Sequence, residues 1–146
     1  MMFEASPDLS VNTVAEIVRL ALAPVFLLSG IGAFLNVLAA RLSRIVDRSR
    51  AITAISDDDA QGAHLKTHLP ELRFRAGLII RSIYWAVGSG IAACLLMIVA
   101  FMAAYLGARH EPAAAFLFTV SLLLFTASLI SFARDLRVAL NQKDLA

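Results

Sequence analysis

A row of polar and small side chains recurs at seven-residue spacing through the first apolar stretch and beyond it. Its members are Ser29, Ala33, Asn36, Ala40, Ser43, Asp47 and Arg50. On an α-helix this spacing forms one stripe, with the amide of Asn36 in the middle of an apolar segment. That amide needs a hydrogen-bond partner or water. The row therefore either makes interhelical hydrogen bonds to serine or threonine, or lines a water-filled path at a symmetry axis.

A pair of histidines offers a second kind of chemistry. His64 and His68 lie four residues apart, a helical spacing that can bind Zn²⁺, and the nearby acidic run Asp57–Asp59 would supply a carboxylate. No cysteine or second histidine pair accompanies them in this segment. We interpret both histidines as solvated loop residues and predict no metal site.

Catalytic arrangements are missing from the sequence. It contains no paired carboxylates suited to acid–base work, no Ser–His or Cys–His motif and no phosphate-binding loop. We therefore predict that the protein is not an enzyme and holds no cofactor. The apolar stretches also lack acidic or basic residues at depth, which argues against proton-coupled transport but does not exclude a pore.

The elements that carry these residues are apolar enough for a membrane. Apolar residues make up 60% of the chain and charged residues 16%, against roughly 50% and 25% in soluble domains. Three stretches carry no charge: Leu20–Ala40, Ser82–Ala108 and Pro112–Ala133. Each reaches the roughly 20 helical residues that cross a hydrocarbon core. We predict an all-α integral membrane protein with three transmembrane helices.

Positive charge is distributed unevenly about these spans. Eleven of the thirteen Lys and Arg residues lie between spans one and two or after span three, and only Arg19 and Arg109 lie on the other side. Positive residues gather in the cytoplasm, so we predict an outer N-terminus and a cytoplasmic long loop and C-terminus. Arg41, Arg44 and Arg48 would form a basic inner rim facing anionic lipid head groups. The net charge of +2 does not indicate nucleic-acid binding.

An apolar seam continues from the first span into the cytoplasm. It consists of Leu28, Ile31, Leu35, Leu38, Leu42, Ile45, Ser49 and Ile52, alternately three and four residues apart. A matching set leads into span two: Leu69, Leu72, Ala76, Ile79, Ile80 and Ile83. The simplest arrangement is a cytoplasmic antiparallel stalk made by helices one and two. Packing of the seam against helix one of another subunit is the alternative.

Helix boundaries and bends follow from local signals. Thr13 and Glu16 fit a capping box, so helix one should start near Thr13. Pro24 then falls inside that helix and should kink it. The predicted single membrane domain covers residues 1–146, with an outer tail at 1–12, helix one at 13–55, a cytoplasmic turn at 56–68, helix two at 69–108 and helix three at 112–140. Gly30, Gly32, Gly88 and Gly90 would let spans one and two approach closely.

Two functional hypotheses remain at this point. The first is a homo-oligomeric pore or channel-like protein, in which helix one lines the axis and its arginines form a basic mouth. The second is a membrane scaffold or accessory subunit that docks a cytoplasmic protein partner through its helical stalk. In the second hypothesis the polar stripe serves only internal packing.

One segment resembles a known family. Residues 21–38 read Ala-Leu-Ala-Pro-Val-Phe-Leu-Leu-Ser-Gly-Ile-Gly-Ala-Phe-Leu-Asn-Val-Leu, and residues 41–50 read Arg-Leu-Ser-Arg-Ile-Val-Asp-Arg-Ser-Arg. Pro24, Asn36, Arg41 and the pair Asp47-Arg48 stand there at the offsets of a bacterial membrane family known as domain of unknown function 2721. The resemblance extends more loosely over most of the chain. It implies a multi-pass protein of a bacterial inner membrane, and it carries over no activity, ligand or catalytic residue.

Overall fold

The computed structural model describes residues 7–55, 64–106 and 111–141, and the regular structure in these ranges is helical. Three long helices follow one another: α1 at Pro7–Thr53, α2 at Leu69–Leu106 and α3 at Glu111–Asn141. A helical turn at 64–66 precedes α2. The prediction of an all-α chain is confirmed for these residues.

The first helix is longer than the sequence signals indicated. It begins at Pro7 and contains 47 residues, which corresponds to about 70 Å. Thr13 therefore lies inside α1 and does not start it. Proline suits a first helical position, because its missing N–H would have no intrahelical partner there. Pro24 lies inside the helix, as predicted, and is buried.

All three helical segments are long and apolar enough to cross a membrane. The segments are Val14–Thr53, His64–Leu106 and Pro112–Asn141. Within their apolar windows only 12%, 33% and 11% of the residues are buried, so most of the apolar surface faces outward. Soluble monomers rarely expose apolar surface so extensively. The chain thus has three candidate spans and the outward-facing apolar surface of a membrane protein.

The apolar seam of α1 faces the protein interior. Ile31, Leu38, Ile45 and Ile52, each seven residues from the next, are all buried. They meet α2 through a core cluster that includes Leu72 and Ile79. The seam therefore packs against α2 within the chain, through its residues from Leu38 to Ile52.

The central helix of the fold is α2, which contacts α1 on one side and α3 on the other. Its buried residues form two rows of seven-residue spacing. One row is Leu72, Ile79, Ala86 and Ala93, and the other is Ser82, Ser89 and Leu96. Such spacing on packed helices is typical of left-handed crossings near 20°. Parts of several predicted features lie outside the described residues: residues 1–6 of the tail predicted at 1–12, the run Asp57–Asp59, and residues 107–110 of the outer turn predicted at 107–112.

Candidate functional site

Two pairs of serines join α2 to α3 inside the bundle. The hydroxyl of Ser82 donates to the carbonyl oxygen of Ser128, and the hydroxyl of Ser128 donates back to the carbonyl of Ser82 at 2.6 Å. Ser89 and Ser121 make the same reciprocal bonds at 2.7 and 2.8 Å. All four side chains are fully buried. A helical carbonyl oxygen has a second lone pair for such a bond, so the helical ladder remains intact.

The small size of these residues allows the close approach. Ala86 and Ala93 lie between and beyond the serines on α2 and are completely buried. Small residues of this kind let helix backbones approach each other, and interhelical hydrogen bonds then join them. These interhelical bonds join α2 to α3, and Asn36 of α1, for which a bond to serine or threonine was predicted, takes no part in them.

The serine rows end in a buried ionic cluster. Asp135 is fully buried, seven residues beyond Ser128, and Arg75 lies seven residues before Ser82. Arg75 Nε contacts Asp135 Oδ1 at 3.4 Å, and Arg41 Nη1 contacts Asp135 Oδ2 at 3.4 Å. One carboxylate from α3 therefore receives a guanidinium from α1 and another from α2. Burial of a carboxylate requires such partners, because an isolated charge loses its hydration.

Aromatic contacts hold α1 against α3 at the same level. The guanidinium carbon of Arg41 lies 5.0 Å from the centre of the Phe132 ring, within the range of a cation–π contact. The ring of Phe34 meets Phe132 and Phe125 edge-on, with centroid distances of 5.3 and 5.7 Å. Phe34 and Arg41 are seven residues apart, as are Phe125 and Phe132. Arg41 is therefore held both by a carboxylate and by an aromatic face.

A cleft of about 210 Å³ opens beside this cluster. It is lined by Arg41, Arg44, Ile45, Arg75, Ile79 and Asp135. Three cations and one anion give the lining a formal charge of +2. The side chain of Arg75 is 20% exposed and that of Arg41 is 36% exposed. The cleft can thus attract and hydrogen-bond an anion.

The polar stripe of α1 lies on the outer face of the bundle. Its seven residues, Ser29, Ala33, Asn36, Ala40, Ser43, Asp47 and Arg50, are all exposed in the single chain. The side chain of Asn36 makes no hydrogen bond to any residue that the structure describes, and Ser43 bonds only to the carbonyl of Ala40 in its own helix at 3.1 Å. The stripe therefore has no polar partner on α2 or α3 within the described residues.

The predicted basic rim is divided in the structure. Arg41 points into the ionic cluster, whereas Arg44 and Arg48 are exposed and form no ion pair with another described residue. Asp47 lies between them in sequence and is likewise exposed. Of these two exposed arginines, Arg44 lines the cleft described above and Arg48 does not.

The four glycines do not come together at one contact. A side chain at Gly30 or Gly32 would meet no heavy atom within 4 Å. A Cβ at Gly88 would meet Leu124 of α3 at 3.7 Å, and one at Gly90 would meet Ile31 of α1 at 4.0 Å. These are ordinary van der Waals distances. Within the chain, close packing by small residues thus occurs at the serines and alanines of α2 and not at these glycines.

The two histidines, His64 and His68, lie just before the first residue of α2. Their ring centroids are 5.8 Å apart, and Nδ1 of His68 is 3.8 Å from a carboxylate oxygen of Glu71. Both side chains are exposed. The described residues contain no group of three potential metal ligands.

The ionic cluster was missed because its members look unremarkable one at a time. Arg75, Ser82 and Ser89 recur every seven residues on α2, and Ser121, Ser128 and Asp135 do so on α3. When α3 is placed antiparallel to α2, each serine of one row lies opposite a serine of the other, and Arg75 lies opposite Asp135. That complementarity was the available signal.

Comparisons with known proteins place the chain in one family. Residues 21–145 match the model of a protein family described as "Protein of unknown function (DUF2721)". The matched region includes all of α2 and α3, the ionic cluster and the polar stripe. No curated protein and no solved structure matches the chain. Because the match covers most of its length, the chain belongs to the DUF2721 family of proteins of unknown function.

Proposed function

We propose that this is an integral protein of the bacterial inner membrane that assembles as a homo-oligomeric, channel-like pore with α1 at its axis. The N-terminus lies outside, and the long loop and C-terminus lie in the cytoplasm. Helices α1 and α2 extend beyond the bilayer as an antiparallel stalk, formed by residues 42–53 and 69–80. The positive residues at the ends of the spans support this orientation.

The exposed amide of Asn36 is the observation that carries the proposal. It lies in the inner part of the first span, five residues before Arg41, on an exposed face of α1 and without a partner among the described residues. Transfer of an unpaired amide into hydrocarbon costs about 4–8 kcal/mol. Lipid cannot supply the hydrogen bonds, so water or another copy must supply them. In a symmetric oligomer with α1 at the axis, each copy presents the same stripe, so Asn36 can bond to Asn36 of another copy or to water at the axis.

The membrane part of the stripe lies in the inner half of the first span. Ser29 and Ala40 are 11 residues apart on a continuous helix, about 17 Å along its axis. Ser43, Asp47 and Arg50 continue the stripe into the proposed stalk. Seven-residue spacing keeps a stripe on the same side of helices that wind around each other with a left hand. Asp47 and Arg50 would place charge at the inner mouth.

The direct test of the pore is ion flux through liposomes containing the purified protein. Asn36→Leu should lower the flux, because it removes the only amide from the stripe. Thr126→Val is the matched control: Thr126 is also exposed within a span, but its hydroxyl bonds to the Leu122 carbonyl of its own helix at 2.8 Å. Equal flux from the wild type and both variants would contradict the pore.

The symmetric axis has its own test. In a Cys94→Ala background, Asn36→Cys should yield disulfide-linked dimers on mild oxidation, because the introduced thiols converge at the axis. Thr126→Cys in the same background should form no disulfide-linked dimer. Native mass spectrometry of the wild type in nanodiscs gives the subunit count. A monomer or dimer would contradict the pore, because one or two copies of α1 cannot enclose it.

A scaffold is the second candidate, and the stalk favours it. The stalk has its own apolar core at Ile45, Ile52 and Leu72, yet leaves Phe74 60% exposed on its surface. An exposed aromatic next to the exposed Arg73 suits an acidic partner protein. In-cell crosslinking should return one dominant cytoplasmic protein, and Phe74→Glu should reduce its yield. Recovery of only the chain itself would contradict this candidate.

A further inference from the structure

We propose that the cleft beside Asp135 binds a phosphate group, of the kind carried by an anionic phospholipid head group or by a soluble phosphate. The inference rests on the membrane insertion proposed above and not on the pore. It assigns a ligand to a site formed by all three helices within a single chain.

The charges of the cleft are unbalanced. Guanidinium groups of Arg41, Arg44 and Arg75 face a volume of about 210 Å³ together with one carboxylate, that of Asp135. The single carboxylate offsets one of the three cations, so an anion of up to two charges would complete the balance. Because part of the lining is apolar, the attraction is weakened less by solvent than it would be on an open surface.

The guanidinium groups also retain hydrogen-bonding capacity. Arg75 contacts Asp135 through Nε alone, and Arg41 does so through Nη1 alone, both at 3.4 Å. Charge-assisted bonds between these groups are usually about 2.7–2.9 Å, so the two contacts with Asp135 are long and leave most of the donors of each guanidinium unused. Each guanidinium has five N–H donors, and neither group bonds to a second described residue. The remaining donors suit the several oxygens of a phosphate.

The cleft is arranged before any ligand arrives. Arg41 is held over the Phe132 ring at 5.0 Å, and the walls include Ile79, which is fully buried, and Ile45. Fixed cations lose little side-chain freedom when an anion binds, which favours affinity. Arg44 is exposed at the edge of the cleft and has no ion pair with another described residue, so it can close over the ligand.

The position of the cleft favours a lipid as the source of the phosphate. Arg41 directly follows the first uncharged stretch, and Asp135 comes two residues after the third. In the proposed orientation both lie where inner-leaflet head groups lie. Basic pockets between helices on this side of a membrane are typical sites for anionic head groups.

The test uses Arg44→Gln and Arg48→Gln, two variants with the same loss of charge on the same helix. Arg44 lines the cleft and Arg48 does not, and neither substitution disturbs the contacts of Asp135. The full chain is placed in nanodiscs of phosphatidylcholine containing a minority of phosphatidylglycerol. Native mass spectrometry then counts phosphatidylglycerol retained per chain. In a second arm, inorganic phosphate is titrated into phosphatidylcholine-only discs by calorimetry.

The wild type should retain one phosphatidylglycerol per chain, and Arg44→Gln should weaken this retention at least about tenfold, while Arg48→Gln retains it. The same pattern with inorganic phosphate alone would support the cleft with a soluble ligand. Equal behaviour of the two variants in both arms, or no binding by the wild type in either arm, would overturn the proposal. Entry of the chain into discs is scored separately, so failed membrane insertion is distinguished from an inactive cleft.

Discussion

At the scale of single residues, Asp135 is where the three helices converge. Its carboxylate is fully buried and contacts one guanidinium from α1 and one from α2. Neither arginine is fully buried, so each keeps some hydration while it satisfies the carboxylate. This arrangement offsets the desolvation of Asp135 and fixes the rotation of α3 relative to its neighbours.

Loss of that charge should loosen the end of the bundle that carries the ionic cluster. Asp135→Asn leaves two partly buried guanidinium groups facing an amide, and we expect the free energy of unfolding to fall by about 1.5–3 kcal/mol. Thermal unfolding in detergent, followed by circular dichroism, measures the change. Asp47→Asn is the control, because Asp47 is exposed and forms no ion pair with a described residue. Equal midpoints for the two variants would contradict the structural role of Asp135.

The serine pairs give a second prediction at this scale. Ser89→Ala and Ser121→Ala each remove one hydroxyl of a reciprocal pair, so their effects should not add. A double-mutant cycle should give a coupling energy of about 0.6–1.7 kcal/mol, the range known for such bonds in membranes. The cycle between Ser89 and Ser128, which are not bonded to each other, should give none. Coupling of the same size in both cycles would argue against the direct bonds.

At the scale of helices, a common seven-residue period organises the fold. Buried positions recur at this spacing on all three helices, from Ile31 to Ile52 on α1 and from Ser121 to Asp135 on α3. The central helix α2 has two such rows, and this is why it contacts both neighbours. A shared period lets contacts continue along long helices without drifting off the interface. Leu72 and Ile79 of one row pack against α1, and Ser82 and Ser89 of the other row bond to α3.

Two adjacent isoleucines on α2 test this division. Ile79 is fully buried in the core with α1, whereas Ile80 is 42% exposed. Ile79→Ala should lower the free energy of unfolding by about 2–5 kcal/mol, because it leaves a cavity between the helices. Ile80→Ala makes the same chemical change outside the core, so its effect should stay below about 1 kcal/mol. Chemical denaturation of the two variants in detergent compares them, and similar losses would mean that the seam is not the core.

At the scale of the whole molecule, apolar surface faces outward and charge lies at the ends. Tyr84 and Tyr105 are 75% and 86% exposed on α2, 21 residues or about 32 Å apart. Tyrosines of this kind favour the two interfaces of a bilayer, whose core is about 30 Å thick. These two side chains thus mark a slab that matches the proposed membrane position. The ionic cluster lies beyond its inner edge, since Arg75 precedes Tyr84 by nine residues, or about 14 Å along α2.

The proposed orientation predicts which ends are accessible from outside the cell. In a Cys94→Ala background, Tyr105→Cys should react with a membrane-impermeant maleimide in intact spheroplasts. Thr53→Cys, at the far end of α1 and also exposed, should react only after the membrane is opened. The reverse pattern would invert the topology, and labelling of both in intact spheroplasts would contradict membrane insertion.

Much of the fold follows from local properties of the sequence. Three uncharged stretches and an apolar seam of three- and four-residue steps are enough to predict three helices and the buried face of α1, because both depend on composition and helical period. The predicted seam matches the buried row from Ile31 to Ile52. The helix begins at Pro7, six residues before the Thr13 that the capping pattern indicated.

The candidate site, by contrast, depended on the tertiary structure. Asp135 lies 94 residues from Arg41 and 60 from Arg75, so no local pattern joins them. Their meeting requires both the reversed order of α2 and α3 and the rotation that points Arg41 inward. The sequence by itself determined the helices, their apolar faces and the uneven distribution of positive charge, because these are properties of single segments. Only the tertiary structure decided which polar groups are paired and which, like Asn36, remain exposed, because pairing depends on the rotation and offset of separate helices.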